Sequence, residues 1–516
     1  MTQPDDSSAL PVGSVRERRW AFGLGCLAVV FGTAMAFFYS RAGLTLSHYD
    51  ARAHLVVARR VIDNITPGWQ QLGAVWLPLP HLLNLIPVQF DGWYRNGASA
   101  VAISVAAFGL ACYAVARIVF AAGGSLIAAA AALSLVLLNP NLLYLQATPM
   151  TEALLLGLTL FAVSMVHEWA VRDGPAAIAR LRPAGLALAL ACLTRYEAWP
   201  VTASAVALAT LVRWHRAGSF RAAALDAARL GAYPVAAIAL FILHSYFSTG
   251  SWFVTGGFFV ADNPDLGRPL RSAASVGWGV LQLGGYLTLV LSAAGTSGVV
   301  TAAVIRPHRY LPLIVFLAPI FAAALPWYAF YEGHPFRIRY MVPLVGPMAL
   351  GLGFAVGLLP RWRLSAAALV LVVVASENYP FNPRAPMVVE SQLDSANAVG
   401  RRRVTAVLTS NRRPGEIVMA SMGSLGHYMQ ELAKAGLHVC DFLHEGNGDI
   451  WKSALDDPSV WADWIMIEET AEGGDMLAGL ARSRPAFLSG FDRVGEGGGV
   501  ALYRRKASAT ASKSAG

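Results

Sequence analysis

The run WAFGLGCLAVVFGTAMAFFYS, Trp20–Ser40, decides the fold class because it contains 21 consecutive residues without a charge. About 20 apolar residues in a helix cross the hydrocarbon core of a bilayer. Ala34-Met35-Ala36 also resembles the cleavage site of a secretory signal peptide. The length of the run favours a retained membrane anchor over a cleaved signal.

The rest of the chain has the same apolar character. Of its 516 residues, 56% are hydrophobic and 14% are charged, and the mean hydropathy is +0.50. Soluble domains average about 25% charged residues. The composition therefore excludes a soluble enzyme, a disordered chain and a disulfide scaffold. Three of the four cysteines (Cys26, Cys112, Cys192 and Cys440) fall inside apolar runs, so neither disulfides nor a metal site is indicated.

Further apolar runs follow the first, and together they predict about eleven membrane spans. They are Gly97–Val115, Gly124–Leu138, Thr151–Val166, Ala184–Leu193, Pro200–Val212, Leu230–Phe247, Val276–Ile305, Tyr310–Phe330, Met341–Leu359 and Leu364–Ala375. Ala184–Leu193 is the shortest and needs its flanking residues to cross. The sequence thus predicts an α-helical polytopic membrane protein.

The arginines predict the orientation of these spans. If the N-terminus is cytoplasmic, every inside connection is basic, including Ala170–Arg182, while the outside connection Asn139–Met150 has no basic residue. The net charge of +9 therefore reflects membrane topology and not nucleic-acid binding. An odd number of spans places the C-terminus outside the cytoplasm.

The composition divides the chain into predicted domains. Residues 1–19 form a cytoplasmic tail, and residues 20–376 form the membrane module with a long outer loop at 41–96. Residues 377–505 contain no run that could span and form an extracytoplasmic α/β domain. Residues 506–516 are rich in Ser and Ala and are predicted to be disordered.

The outer loop predicts an amphipathic helix over Ser47–Asp63. Ser47 is its predicted N-cap in a capping box with Asp50, and Arg59 and Asp63 have the spacing of an ion pair. The later stretch Trp76–His81 has the composition of a membrane interface. The loop would bring polar groups to the level of the lipid headgroups.

The C-terminal region alternates strand-like and helical patterns. The predicted strands are Glu416–Ser421, Leu437–Phe442, Trp464–Ile467, Ala486–Ser489 and Val500–Tyr503, and the predicted helices are His427–Ala435 and Asp475–Ser483. Gly423-Ser424-Leu425-Gly426 lacks the full glycine spacing of a phosphate loop. It is interpreted as an ordinary strand-to-helix turn.

Two carboxylates in the predicted membrane region are candidate catalytic residues, because charged groups at membrane depth are costly. Asp50 lies beyond the first span, and helix capping is an equally good explanation for it. Glu152 begins the fourth span, where stabilisation by the helix dipole explains it as well as function does. Both alternatives stay open.

Arginines on the predicted outer side run against the topology rule, which indicates an anionic partner. They are Arg195, Arg337 and Arg339, and Tyr340 follows the last of them. A local pair with Glu197 is the alternative for Arg195. Contact with anionic lipid headgroups is the alternative for the other two.

The histidines near Asp50 form a third candidate group. His48, His54 and His81 have no tight metal-ligand spacing and are interpreted as interfacial residues. His54 and His81, with Arg52, are candidates for the loop or acceptor side of a site. No cofactor is indicated with certainty, and a divalent cation stays open. This mixture of arginines and carboxylates suits a lipid phosphate beside a general base.

Several of these motifs, in this order, resemble the GT-C class of integral membrane glycosyltransferases. They are Tyr49-Asp50-Ala51-Arg52-Ala53-His54-Leu55, Trp76-Leu77-Pro78-Leu79-Pro80-His81, Thr148-Pro149-Met150-Thr151-Glu152, Leu193-Thr194-Arg195-Tyr196-Glu197 and Arg339-Tyr340-Met341-Val342-Pro343-Leu344. The sequence is most similar to the protein O-mannosyltransferase-like and lipid A aminoarabinose transferase-like groups.

The resemblance implies transfer of a sugar from a polyprenyl-phosphate carrier, with inversion, to a lipid, protein or glycan acceptor outside the cytoplasmic membrane. It implies Asp50 as general base or acceptor-orienting group. The outer arginines Arg195, Arg337 and Arg339, with Tyr340, are the candidate donor-phosphate contacts because of their charge and position. Many relatives have a second acidic residue after this aspartate, where the chain has Ala51. A metal site built from an acidic pair is therefore in doubt, and Glu152 is the candidate second carboxylate.

Two other functional classes remain as alternatives. A transporter or lipid flippase would show paired broken spans or an internal repeat, with charges near the midplane. A non-catalytic assembly protein would use the outer domain for binding but leaves the arginines unexplained. The leading hypothesis is a hexosyl- or pentosyltransferase that uses a lipid-phosphate sugar donor.

Overall fold

The computed structural model describes residues 14–254 and 262–507, and contacts divide the chain into two compact units. The first, called the helical unit, contains residues 14–42, Ala74–Pro80 and Val101–Val389. The second, called the sheet unit, contains Gly43–Gly73, His81–Ala100 and residues 390–507. Most of both predicted terminal tails, at 1–13 and 508–516, lies outside the described residues.

The described residues are mostly helical. In chain order the first α-helices are α1 (Val15–Arg41), α2 (Tyr49–Arg59), α3 (Leu79–Asn84), α4 (Asp91–Asn96), α5 (Ala98–Ala121), α6 (Leu126–Leu138), α7 (Pro140–Leu145), α8 (Glu152–Ala170), α9 (Gly174–Cys192), α10 (Ala198–Ala217) and α11 (Phe220–Thr249). They are followed by α12 (Pro269–Gly284), α13 (Tyr286–Ile305), α14 (Pro307–Tyr310), α15 (Ala324–Tyr331), α16 (Val345–Gly357), α17 (Arg363–Glu377), α18 (Pro386–Glu390), α19 (Ser395–Asn411), α20 (Met422–Leu432), α21 (Asp449–Asp456) and α22 (Met476–Ser483). Two longer 3-10 helices, Leu311–Ala323 and Ile338–Leu344, precede α15 and α16.

Eight helices within the described residues are long and apolar enough to cross a membrane. They are Val15–Arg41, Ala98–Ala121, Glu152–Ala170, Gly174–Cys192, Phe220–Thr249, Tyr286–Ile305, Pro307–Tyr331 and Ile338–Gly357. The predicted run Trp20–Ser40 therefore lies within one continuous helix.

Three other predicted spans are helical but are not among those eight. The helix α6 has 13 residues and α17 has 15, which is short of the about 20 residues that a perpendicular crossing needs. The helix α10 is long enough, but it ends in the basic residues His215 and Arg216. The prediction of about eleven apolar helical segments agrees roughly with this arrangement.

Two predicted spans of the helical unit have different bounds in the structure. The run Ala184–Leu193 reaches the length of a span by including its preceding flank, as expected, because α9 starts at Gly174 and includes most of the predicted connection Ala170–Arg182. The long run Val276–Ile305 is interrupted at Gly285, whose φ of +94° no helix accommodates. Glu377 accepts hydrogen bonds of 2.8 Å from the backbone N–H groups of Leu287 and Thr288, so the new helix start is satisfied.

The interior of the helical unit is built around α8 and the segment Ile338–Gly357, which are its most buried membrane-spanning helices. Small residues allow close packing between α13 and α16, as is common for membrane helices. A side chain at Gly295 would collide with the backbone of Gly351. The helices α13 and α16 therefore approach closely at these two glycines.

The sheet unit contains five strands within the described residues, in the order β2-β1-β3-β5-β4. They are β1 (Val418–Ala420), β2 (Phe442–Leu443), β3 (Trp464–Glu468), β4 (Phe491–Gly497) and β5 (Val500–Arg505). The strands β2, β1 and β3 are parallel, while β5 is antiparallel to both β3 and β4. Apolar clusters cover both faces, with α19 and α20 on one and α21 and α22 on the other.

The predicted α/β character of the C-terminal region is confirmed, but several of its elements differ. Ala486–Ser489 was predicted as a strand, whereas Pro485–Leu488 is a 3-10 helix. Of the predicted strand Leu437–Phe442, only Phe442 lies in β2. The strand β4 was missed, since its exposed residues and two glycines give little apolar alternation.

Segments of the first outer loop complete the sheet unit. The apolar face of α2 packs in one cluster with the end of α20, through residues such as Leu55, Val56 and Ala433. This grouping differs from the predicted domains, which joined the loop 41–96 to the spans. Asp50 and its neighbours are thus positioned by the C-terminal fold.

Candidate active site

A cluster of charged residues lies at the start of α8 in the helical unit. Thr151 is the N-cap residue of α8 and Glu152 is its first residue, where the helix dipole stabilises a carboxylate. Glu152 is fully buried, at 0% exposure. Its Oε1 accepts a hydrogen bond of 2.9 Å from Nη1 of Arg195, so the buried charge is paired.

Arg195 lies in the short connection between α9 and α10 and contacts two carboxylates. Its Nε and Nη2 donate to the carboxylate of Glu197 at 3.1 and 2.8 Å. Its Nη1 also donates to the hydroxyl of Thr151 at 3.1 Å. The local Arg195–Glu197 pair suggested by the sequence is therefore present, and it extends to Glu152.

The proline-rich stretch Ala74–Pro80 is hydrogen-bonded to this connection within the helical unit. The backbone N–H of Leu79 donates to the carbonyl of Leu193 at 2.9 Å. The Tyr196 hydroxyl donates to the carbonyl of Val75 at 3.2 Å. Two motifs far apart in sequence thus meet beside Arg195.

Arg339 is a buried cation of the 3-10 helix Ile338–Leu344. Its guanidinium lies 5.6 Å from the ring centroid of Tyr340, and its positive charge acts on Arg195. The two arginines balance the two carboxylates of Glu152 and Glu197. Three of the predicted site residues, Glu152, Arg195 and Arg339, therefore form one electrostatic cluster.

The other two predicted phosphate contacts lie beside Arg339. Arg337 is half-buried and precedes the first residue of the 3-10 helix. The Tyr340 hydroxyl lies 3.3 Å from Nε2 of His334. Asn263 donates to the carbonyls of Gly333 and His334, so this segment is held from a second side.

Asp50 lies in the sheet unit, in the first turn of α2, and is 8% exposed. The predicted capping box was wrong, because the N-cap residue is His48 and not Ser47. Nδ1 of His48 accepts the backbone N–H of Asp50 at 3.1 Å. The hydroxyl of Ser47 donates instead to the carbonyl of Leu44. The cap at the start of α2 is thus an imidazole.

The predicted loop residues His54 and His81 are brought together by the fold. Nδ1 of His54 lies 3.0 Å from Nε2 of His81, and both residues are buried. Arg52 forms an ion pair of 2.7 Å with Glu431 of α20. Arg52 is therefore at least partly occupied in holding α2 against α20.

The negative charge of Asp50 also acts on His427, another histidine of the sheet unit. Burial and the nearby positive charge of Arg401 lower the pKa of His427 to about 4, although Asp394 and Asp50 act in the opposite direction. Nε2 of His427 lies 3.6 Å from the carboxylate of Asp394. His427 is therefore neutral near pH 7 and adds no positive charge beside Asp50.

The predicted Arg59–Asp63 pair is confirmed, with Nε and Oδ2 2.6 Å apart. Arg59 also pairs with Asp91 at 2.6 Å and lies over the ring of Tyr94. Asp63 accepts a further hydrogen bond from the backbone of Cys440 at 3.0 Å. This network holds the end of α2 to the C-terminal segment.

Neither a metal centre nor a phosphate loop is indicated in the part of the chain that the structure describes. No group of three His, Cys, Asp or Glu residues there has an arrangement that could hold a metal ion. At the start of α20, the Glu445 carboxylate accepts the backbone N–H of Met422 at 2.7 Å. The helix N-terminus after Ser421 is thus already occupied by a carboxylate, in agreement with an ordinary turn.

Comparison with known proteins identifies the architecture. No protein-family model and no curated protein matches the sequence. The structure of apo ArnT from Cupriavidus metallidurans is similar with a TM-score of 0.59 and 14% sequence identity, covering 92% of this chain and 97% of that chain. ArnT from the same organism bound to undecaprenyl phosphate gives a TM-score of 0.58 and 14% identity, covering 93% and 98%.

The chain shares the ArnT fold. ArnT is a lipid A aminoarabinose transferase of the GT-C type, one of the groups that the sequence was predicted to resemble. The ArnT fold and the eight apolar helices are those of a multi-pass membrane protein. The predicted fold class, with a small C-terminal sheet domain, is therefore confirmed.

Within the ArnT fold of this chain, sequence reasoning missed several polar partners. Glu197 was noted only as a local partner of Arg195, while Thr151, Asp394 and Glu431 were not singled out. Arg195 lies in the connection after α9 and Glu152 begins α8, 43 positions away, so no spacing rule links them. The one usable signal was the acidic residue two positions after Arg195, which is Glu197.

Proposed function

We propose that this protein is an inverting glycosyltransferase that uses a polyprenyl-phosphate-linked sugar at the outer face of the cytoplasmic membrane. The observation that carries the proposal is the fold similarity to ArnT bound to undecaprenyl phosphate, which extends over 93% of this chain. The clustered arginines and carboxylates of the helical unit are a second support, because they suit a substrate that carries a phosphate.

The proposed reaction needs a group that removes a proton from the acceptor. The acceptor hydroxyl oxygen attacks the anomeric carbon from the face opposite the phosphate, and the bond from that carbon to the phosphate oxygen breaks. Polyprenyl phosphate leaves with the bonding electron pair, and the hydroxyl proton passes to the base. Asp50 is the proposed base, while His54, His81 and Arg52 are proposed to support the loop on the acceptor side.

The leaving phosphate gains negative charge in this reaction, which cationic groups stabilise. Arg339 is the leading candidate, because it is buried, and Arg337 and Tyr340 are next to it. Arg195 is a weaker candidate, because most of its N–H groups already bond to protein acceptors. Glu152 has no exposed surface, which favours a counter-ion role over direct catalysis.

Substitution of Asp50 tests the proposal. Asp50→Asn keeps the size of the side chain but removes the base, so transfer should fall by about 10²–10⁴-fold. The measurement is transfer of radiolabelled sugar from undecaprenyl-phosphate-linked mannose or aminoarabinose to a lipid extract by protein in proteoliposomes. Asp449→Asn is the matched control, since its side chain is 94% exposed in the same unit. Turnover retained in Asp50→Asn would assign Asp50 to a structural role.

A lipid flippase is the competing function. Such a protein would move a fluorescent polyprenyl phosphate between leaflets without forming a new glycosidic bond. Proteoliposomes that translocate the lipid but transfer no sugar from either donor would support the flippase and contradict the transferase. Sugar transfer that is lost in Asp50→Asn would do the reverse.

A further inference from the structure

We propose that Glu197 is a positioning residue that, together with Glu152 and Thr151, holds Arg195 so that one N–H meets an oxygen atom of the lipid-linked ligand. This inference rests on the proposed function and deepens it. The oxygen belongs either to the carrier phosphate or to the sugar. Glu197 acts only through Arg195.

The hydrogen bonds of Arg195 leave a single donor for a ligand. A guanidinium has five N–H groups. Nε donates to Glu197, Nη1 donates to Glu152 and to Thr151, and one N–H of Nη2 donates to Glu197. The second N–H of Nη2 has no acceptor within the described ranges 14–254 and 262–507. The planar guanidinium is thus fixed in one orientation with one donor available.

Exposure shows which member of the cluster a ligand can reach. The side chains of Glu152 and Glu197 are 0% and 2% exposed, whereas that of Arg195 is 15% exposed. A ligand therefore meets the arginine and not the carboxylates. Oε2 of Glu152 also lacks a hydrogen-bond partner among the described residues although it is buried. An unsatisfied buried oxygen is costly, so the cluster is not arranged for stability alone.

The place of Glu197 in the fold separates this role from ordinary helix capping. Glu197 is the N-cap residue of α10, but its carboxylate makes no capping hydrogen bond. The usual N-cap residues Ser, Thr, Asp and Asn accept an N–H of the first helical turn. Glu197 gives its oxygens to Arg195 instead, so its side chain serves the arginine.

The charges of the cluster explain why the arrangement depends on Glu197. With Glu197 ionised, the charges of Arg195 and Arg339 are balanced by two carboxylates. Glu197→Gln leaves Glu152 as the one carboxylate bonded to Arg195 and replaces an ion pair by weaker hydrogen bonding to a single neutral amide oxygen. The guanidinium is then free to turn toward Glu152, and its available N–H no longer points at the ligand.

The test compares Glu197→Gln, Arg195→Lys and the double variant in sugar transfer. Loss of one charge-assisted hydrogen bond to the ligand should raise the donor KM about tenfold to hundredfold, with kcat within about twofold because the contact exists before and during the reaction. The double variant should match Arg195→Lys, since Glu197 acts through the arginine. Asp173→Asn, which removes the exposed partner of Arg216 in the same unit, is the control.

Binding measurements identify the source of the ligand oxygen. If it is a phosphate oxygen, Glu197→Gln weakens binding even of undecaprenyl phosphate that carries no sugar. If it is a sugar oxygen, only the carriers that bear mannose or aminoarabinose bind more weakly. Either result supports the proposal. An unchanged donor KM in Glu197→Gln, or an equal further loss on the Arg195→Lys background, overturns it.

The same experiment separates this inference from the proposed function. If the wild type binds these lipids more tightly than Glu197→Gln does but transfers no sugar, the transferase is contradicted and the positioning role still holds. Protein that transfers sugar without that dependence contradicts the positioning role alone. Protein that binds none of the three lipids contradicts both.

Discussion

Arg195 and Arg339 have the same charge and are each followed by a tyrosine, but their contacts differ. Arg195 donates hydrogen bonds to Glu152 and Glu197, so its positive charge is paired with carboxylates of the protein. The guanidinium of Arg339 lies beside the ring of Tyr340. Both were predicted as phosphate contacts, and Arg339 is the leading candidate in the proposed function.

Substitution of Arg339 should therefore affect donor use strongly. Arg339→Lys keeps the positive charge but removes the planar fork that binds two phosphate oxygens at once. We expect donor kcat/KM to fall about tenfold to hundredfold, while the protein still inserts into the membrane. The measurement is transfer at varied concentrations of an undecaprenyl-phosphate sugar.

The exposed Arg384 of the helical unit offers a matched control, because Arg384→Lys changes the same chemistry at a surface position. Equal donor use in Arg339→Lys and Arg384→Lys would remove Arg339 from the proposed donor site. In that case Arg337→Ala would be the next variant to measure.

At the scale of elements, the helix α2 depends on contacts with the C-terminal segment. Its last turn is held by the ion pair of Arg59 with Asp63 and by the backbone of Cys440. Its outer face is held by Arg52 and Glu431. The helix that carries Asp50 is therefore held by contacts within the sheet unit.

Asp63 makes this dependence measurable through pH. Burial acts to raise the pKa of Asp63, but hydrogen bonds from Arg59 and from the backbone of Cys440 outweigh it, so the pKa is lowered. The stability that Asp63 adds is present above the pKa of the unfolded chain, about 3.9, and is lost as the pH falls through the lower folded value.

Asp63→Asn should accordingly destabilise the sheet unit by about 1.5–3 kcal/mol at pH 7. The difference from the wild type should shrink below about pH 4. Thermal unfolding followed by tryptophan fluorescence, to which the buried Trp464 contributes, measures both. A difference that is constant from pH 7 to pH 3 would contradict the role of the ionised carboxylate.

At the scale of the whole molecule, the order of spans sets the orientation of every segment. The basic connections on one side predict that the N-terminus is cytoplasmic and that the C-terminus is outside. The eight long apolar helices, together with the shorter helices α6 and α17 and the less apolar α10, are the segments whose crossing decides this.

Reporter fusions test the predicted orientation. A reporter fused after Lys506 should be active if it functions only outside the cytoplasm, because an odd number of crossings precedes it. The same reporter inserted at Val171, between α8 and α9, should be inactive. The opposite pattern would invert the topology and place the proposed site on the cytoplasmic side.

The sequence by itself determined the fold class, the positions of the apolar helices and the α/β nature of the C-terminal region. These properties follow from local composition and periodicity, which do not depend on contacts between distant segments. It also determined which ionisable residues to examine, because charges beside apolar runs are rare and costly. The Arg59–Asp63 pair was predictable for the same local reason.

Only the tertiary structure decided which of those residues meet. Glu152 lies on α8 and Arg195 in the connection between α9 and α10, while Arg52 and Glu431 lie on α2 and α20. Such pairs depend on packing between elements far apart in sequence. The break at Gly285 also depends on a partner outside the local pattern, because Glu377 accepts the backbone N–H of Thr288. Long-range packing and the pairing of buried charges therefore decided the site, whereas short-range hydrophobic pattern decided the fold class.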